Sequence, residues 1–204
     1  MNLERSEEQF ARMRAHELYR VEGPAFAKAF ARSMRIQDEI NALPSGDMEA
    51  IASKARELFG TFGAGAAIRT PVRCDYGVHT HIGEGTFINF DCIFLDVADI
   101  IIGKNCQIAP RVQLLTAEHP LQATVRREGW ESGRPIVLGD NVWLGAGVMV
   151  APGVTIGENT VVGAGSVVVR DLPANVVAAG VPARVLRGLP DDVDPAEMLP
   201  AHLL

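Results

Sequence analysis

"LGDNVWLGAGVMVAPGVTIGENTVVGAGSVV", residues 138–168, repeats itself every six positions. Leu138, Leu144, Val150, Ile156, Val162 and Val168 share one phase, and the residue after each is usually small: Gly139, Gly145, Gly157, Gly163. Four positions after each aliphatic stands another small or branched residue, as at Val142, Val148, Val154, Thr160 and Ser166. A six-residue internal repeat is a solenoid signature. Each hexapeptide can be one short strand plus one turn, with the aliphatic side chain inward. A small residue or Asn/Asp at the turn tolerates left-handed backbone angles. Three such units make one triangular coil, and coils stack about 4.8 Å apart through backbone hydrogen bonds.

Working outward, the phase returns at Ile82, Ile88 and Phe94 and, after a two-residue slip, at Ile102, Ile108 and Leu114. Counted from Tyr76, about thirteen hexapeptides predict somewhat over four coils, a prism ~20 Å tall. Cys92 and Cys106 occupy the repeat position of Thr86, Val142 and Ser166, so they read as small core residues rather than nucleophiles. Cys74 lies before the clear repeats, and its role stays open. Phe87, Phe90, Ile93, Trp143 and Met149 fall at positions that point outward. Apolar side chains so placed mark an interface, and the expectation is a homotrimer of rods side by side.

Composition narrows the class. Hydrophobic residues make up 48% of the 204 and aromatic ones 6%, so the core is aliphatic. A formal charge of -6 argues against nucleic-acid partners and against a polybasic membrane surface. No apolar run reaches the roughly 18 residues of a membrane span. The start, "MNLERSEEQF", has no apolar signal region. The three cysteines lack metal spacing. The expectation is a soluble, cytoplasmic protein.

Residues 1–60 read as a helical segment that packs on the repeats. "SEEQ" (Ser6 to Gln9) fits a capping box opening a helix through Tyr19. Gly23-Pro24 opens a second helix closed by Pro44. A third starts near Asp47, carries Met48, Ile51, Ala55, Leu58 and Phe59, and stops at Gly60. The repeat domain is placed at 61–188. The tail, 189–204, is read as a loosely held terminus whose last leucines could dock on a neighbour.

The rhythm breaks once, from Leu115 to Val137. An insertion of ~23 residues exceeds ordinary loop lengths, and such loops are usually functional or disordered. It holds His119-Pro120, the basic pair Arg126-Arg127, Trp130 and Glu131. A loop leaving a rigid scaffold beside an interface is where chemistry is carried.

Together with the repeats, "RCDYG" (Arg73 to Gly77), "NFDC" (Asn89 to Cys92), "LDV" (Leu95 to Val97), "IGKNCQIAP", "TAEHP" and "GVPARV" (Gly180 to Val185) resemble the maltose/galactoside O-acetyltransferase family of hexapeptide-repeat acyltransferases. The resemblance runs from about residue 71 to 188. It extends more loosely to "MRAHELYR" near the start. It implies a mainly β fold, a left-handed parallel β-helix, and acetyl transfer from acetyl-CoA to a sugar hydroxyl in trimers with sites between neighbouring rods. No metal is implied.

His119 matches the family's catalytic histidine. An alcohol is a poor nucleophile until a base takes its proton, and a positioned histidine is typically worth roughly 10² to 10⁴ in rate. The hydroxyl would attack the thioester directly, so no nucleophilic Ser or Cys is needed. Glu131 either orients His119 or is a solvated loop carboxylate. By resemblance Asn89 bonds an acceptor hydroxyl, with Asp75 and Asp96 as candidates for the same task or for turn stabilisation. The Ala146 N–H matches the family's oxyanion donor. Ala164, Val169 and Arg170 would line the coenzyme groove, and Arg184 and Arg187 would meet the nucleotide phosphates, unless both only decorate a C-terminal strand.

Three departures fall on the acceptor side. His16 stands where the family pattern usually has Gly, "VEGPAF" lacks an acidic residue found in the galactoside branch, and Val97 replaces a second aspartate of that branch. These changes favour maltose or glucose over galactosides. Two rival readings use the same prism. A γ-type carbonic anhydrase would need zinc held by histidines such as His79, His81 and His119, but 113–124 offers only one. A non-catalytic trimeric scaffold would have no reason to keep "AEHP".

Overall fold

The six-residue rhythm winds into a three-sided parallel solenoid. The structure, a computed structural model, describes residues 3–189 and 192. One face stacks Thr61–Phe62, Thr80–Ile82, Ile100–Ile102, Ile136–Leu138 and Thr155–Ile156. The second stacks Ala67–Ile68, Phe87–Ile88, Gln107–Ile108, Trp143–Leu144, Val161–Val162 and Val176–Gly180. The last of these pairs antiparallel with an edge strand, Ala183–Gly188. The third stacks Val72–Cys74, Cys92–Leu95, Gln113–Leu115, Met149–Val150 and Val167–Val168. Equivalent aliphatics of successive coils lie directly over one another: Ile82 on Ile102, Ile88 on Ile108, Leu114 on Val150. All six are buried, so each layer removes the apolar face of the next from water.

The solenoid begins at Thr61, although the six-residue phase was counted only from Tyr76, and it runs through more than five coils rather than somewhat over four. Phe62, Ile68 and Cys74 already keep the six-residue phase. The step from Cys74 to Ile82 is eight, as is the step from Phe94 to Ile102, and that hides the continuity. Both enlarged steps fall at the corner between the third and first faces. The long insertion leaves the rod at the same corner, one coil further on.

Side-chain chemistry differs between corners. Where the first face turns into the second, Asn105, Asn141, Asn159 and Asn175 adopt φ of 55° to 61°. Asn tolerates the left-handed region, and here its amide also bonds between coils. Asn141 Nδ2 donates to Asn159 Oδ1 at 3.0 Å, and Asn159 Nδ2 to Asn175 Oδ1 at 2.8 Å.

The N-terminal helices are α1 (Leu3–Arg14), α2 (Pro24–Asn41) and α3 (Met48–Leu58). The end of α1 and the role of Ser6 differ from expectation. Ser6 does not cap α1: it lies buried inside that helix, where its Oγ donates to the Glu22 carbonyl and accepts the N–H of Ala25, in the first turn of α2. The helix stops at Arg14, and Tyr19–Arg20 forms a strand instead. His16, between them, has φ of 59°, a conformation that suits the Gly usual in the family pattern. Asp47 caps α3 by accepting the Ala50 N–H.

Helix α2 closes the open end of the third face. Gln37 Oε1 accepts the Cys74 N–H and its Nε2 donates to the Cys74 carbonyl, each at 2.9 Å. Asn41 does the same for Val72, each bond at 3.0 Å. Two amide side chains one helical turn apart thus stand in for the missing next strand, leaving no bare edge. The open role of Cys74 is thereby structural: the residue is buried beneath α2, and burial pushes its thiol pKa far up. Cys92 and Cys106 are fully buried core residues. Phe90, Trp143 and Met149 are exposed outside the rod, while Phe87 and Ile93 are half-buried. No helix among the described residues is long and apolar enough to cross a membrane.

Candidate active site

The inserted loop is rooted by Thr116. Its hydroxyl donates to the Leu95 carbonyl at 2.6 Å and accepts the Ala98 N–H at 3.0 Å, while its carbonyl accepts the Arg134 N–H at 3.0 Å. The two ends of the insertion are therefore pinned at one point. Inside it, Ala117–Glu118 pairs antiparallel with Trp130–Gly133, which pairs in turn with Tyr19–Arg20 from the N-terminal segment. The Arg20 guanidinium lies 5.0 Å from the Trp130 ring centre. The site's wall is thus built partly by a segment read from sequence as a packing appendage.

His119 follows this small sheet directly. It is exposed, at the rim of a cavity of about 550 Å³ lined by Leu18, Glu118, Pro120, Gln122, Val125 and Ser132. Arg134 grips Glu118 through a forked pair of bonds, at 2.8 and 2.5 Å. Arg126, in the short helix α4 (Ala123–Arg127), donates to the carbonyls of Pro120 and Leu121.

Behind His119 the loop turns acidic. Burial raises the Glu131 pKa, and the charge of His119 pulls it back down. Burial and then the Glu131 charge push Asp75 up to about 6. Glu131 therefore interacts with Asp75 on one side and with His119 on the other. No hydrogen bond joins Glu131 to His119 among the described residues. Tyr19 is fully buried close by, its hydroxyl without a partner, and burial and then the Glu131 charge raise its pKa.

Asp96 is fully buried, and the structure commits its carboxylate to the turn below. It accepts the Tyr76 N–H at 2.8 Å, the His79 N–H at 3.3 Å and the Thr80 hydroxyl at 3.1 Å. His79 Nδ1 lies 2.7 Å from the Asp96 carbonyl oxygen, so that nitrogen donates. Val97, which replaces the expected aspartate, is buried in an apolar cluster with Met13, Tyr19, Phe26 and Tyr76. His81 points outward on the first face between Thr61 and Ile101, and the three histidines do not converge. Among the described residues no cluster of three His, Cys, Asp or Glu is placed to hold a metal.

The remaining site residues sit elsewhere. Asn89 stands at the corner between the second and third faces, half-buried in a notch of about 170 Å³ with Phe87, Gln107, Ala109 and Trp143. Ala146 and Ala164 occupy the same corner two and three coils on, and the Ala146 carbonyl accepts the Gly165 N–H at 2.8 Å. The amides flanking Ala146, those of Gly145 and Gly147, bond to neighbouring coils; its own N–H has no backbone acceptor among the described residues. A Cβ on Gly145 would sit 2.6 Å from the Ala164 nitrogen, so that corner admits only glycine at such close approach. Val169 and Arg170 are exposed at the corner that carries the loop. Arg184 and Arg187 are exposed on the edge strand, and neither forms an ion pair among the described residues. The structure therefore gathers His119, Glu131 and Asp75 at one corner and Asn89, Ala146 and Ala164 at another.

Residues 135–170 match the family described as bacterial transferase hexapeptide (six repeats). Galactoside O-acetyltransferase of Escherichia coli is 39% identical over 180 residues, covering 88% of this chain and 89% of that one. This chain belongs to the galactoside/maltose O-acetyltransferase family. A maltose O-acetyltransferase from Clostridium difficile superposes with a TM-score of 0.88 at 41% identity, over 90% of this chain and 98% of that one. A galactoside acetyltransferase in complex with coenzyme A gives 0.86 at 39% identity, over 90% and 92%. The chain is thus an acetyltransferase of the hexapeptide-repeat type. The Tyr19–Arg20 strand and the Arg134 fork were not foreseen, and Arg126 was visible only as half of a basic pair with no role.

Proposed function

We propose that this acetyltransferase moves the acetyl group of acetyl-CoA to a sugar hydroxyl, with a maltose- or glucose-like acceptor, in a homotrimer whose active sites lie between rods. One observation carries the reading: the residues the chemistry needs are divided between two corners of the prism. A single chain cannot bring Asn89 and the Ala146 amide to His119. A neighbouring rod that sets its second-to-third corner against the loop can. The exposed Phe90, Trp143 and Met149 line that corner and its adjoining faces, as a surface covered by a copy would.

In such a site His119 takes the proton of the acceptor hydroxyl as the oxygen attacks the thioester carbonyl. The Ala146 N–H donates to the oxyanion that forms. His119 then returns the proton to the departing thiolate. Asn89 and Asp75 hold acceptor hydroxyls, while Glu131 sets the charge around the imidazole. Ala164, Val169 and Arg170 line the coenzyme groove, and Arg184 and Arg187 meet its phosphates. Val97, apolar where the galactoside branch has aspartate, removes an acceptor contact and favours glucose-type sugars.

The test is free-thiol release from acetyl-CoA with glucose, maltose, galactosides and simple amines, with His119→Ala run in parallel. Release should require a sugar and fall by roughly 10² to 10⁴ in the variant. Release that survives the substitution contradicts the assignment of the base. A preference for amines contradicts the acceptor class.

A further inference from the structure

We propose that Arg126 is a positioning residue for His119, holding the turn that aims its imidazole. The inference rests on the reading of His119 as the base. The residue before His119 is fixed twice, by the pairing of Glu118 with Ser132 and by the Arg134 fork on its carboxylate. The residue after it is Pro120, which locks its own φ and biases His119 to extended backbone. Beyond Pro120 neither sheet nor core holds the chain: Leu121 is 91% exposed.

Arg126 supplies the missing restraint. Its Nη1 donates to the Pro120 carbonyl at 2.7 Å and the Leu121 carbonyl at 3.1 Å. The Arg126 backbone is itself set by its N–H bond to the Gln122 carbonyl, at 3.0 Å. One guanidinium thus closes the 120–126 turn on itself. His119 is left clamped on both sides and exposed at the cavity rim.

The experiment compares Arg126→Ala and Arg126→Lys with the native protein by amide hydrogen exchange and by steady-state kinetics. In Arg126→Ala, exchange at the hydrogen-bonded amides of residues 126, 128 and 129 should quicken and kcat should fall by about 10- to 100-fold, as small misplacements of a catalytic group do, while KM for acetyl-CoA stays within about twofold. Arg126→Lys, which keeps the charge and can donate to one carbonyl, should recover part of kcat without moving the midpoint of the acid limb of the pH profile. Unchanged exchange in Arg126→Ala would overturn the clamp. So would a loss that appears only as a raised KM for acetyl-CoA. If the native protein transfers no acetyl group, the function above fails, and the exchange comparison still decides whether Arg126 holds the turn.

Discussion

The buried carboxylate of Asp96 accepts the Tyr76 amide at 2.8 Å and the Thr80 hydroxyl at 3.1 Å, so it braces the turn of the preceding coil rather than facing solvent. Removing it strands buried donors, and each unsatisfied group costs about 1–3 kcal/mol. Asp96→Ala should therefore lower the free energy of unfolding by about 3 kcal/mol in urea titration. Folded Asp96→Ala protein should keep the native acceptor KM. A raised acceptor KM with native stability would return Asp96 to sugar binding.

Asp75 behaves differently because it is only partly buried and faces Glu131. Its folded pKa of about 6 stands above its ordinary value, so the folded state favours the protonated form. Its favourable contribution is full below pH ~4 and is lost as pH rises through about 6. Asp75→Asn should accordingly raise the melting temperature at pH 8 and give no such gain at pH 4. Partial exposure discounts the gain to about 1–2 kcal/mol. Glu131→Gln should lower the Asp75 pKa, since it removes the neighbouring charge. A melting temperature for Asp75→Asn that tracks the native protein at both pH values would refute the mutual influence.

His79 sets the opposing trend. Burial holds its pKa down at about 4, so the fold favours the neutral ring. That stability is present above the unfolded value near 6.5 and is lost as pH falls through about 4. His79→Asn should blunt the acid limb of the stability profile, measured as midpoint denaturant concentration from pH 7 to 4. An acid limb identical to the native one would show that His79 does not govern it.

Arg184 and Arg187 are exposed and have no acidic partner among the described residues, which suits the phosphate role proposed for them. Replacing both with Gln should raise KM for acetyl-CoA by about 10- to 100-fold, the scale of a lost charged hydrogen bond, and leave transfer from acetyl-pantetheine unchanged. Equal losses with both donors would mean that the edge strand itself, and not phosphate recognition, has been damaged.

The repeat was legible wherever the six-residue phase runs unbroken, and the three sheets follow from it. The phase of the first coil, before Tyr76, was hidden because the eight-residue step from Cys74 to Ile82 shifts it just where it would join the rest. The Tyr19–Arg20 strand is two residues long, too short for any periodicity, and its partner, Trp130–Gly133, lies far along the chain. No local pattern could reveal it. The position of His119 was visible as a break in rhythm. The use of Asp96 was not, because an aspartate that braces a turn and one that binds a sugar read alike until the neighbouring coil is in place.

The shared site is the central claim, and mixed trimers test it most directly. His119→Ala and Asn89→Ala chains, each inactive alone, should be unfolded together, refolded as a mixture and assayed for acceptor-dependent thiol release. Random assembly leaves about one interface in four with both native residues, so the mixture should regain about a quarter of native activity. Mixed trimers that remain inactive would contradict the account, because His119 and Asn89 would then have to serve the same site from one chain.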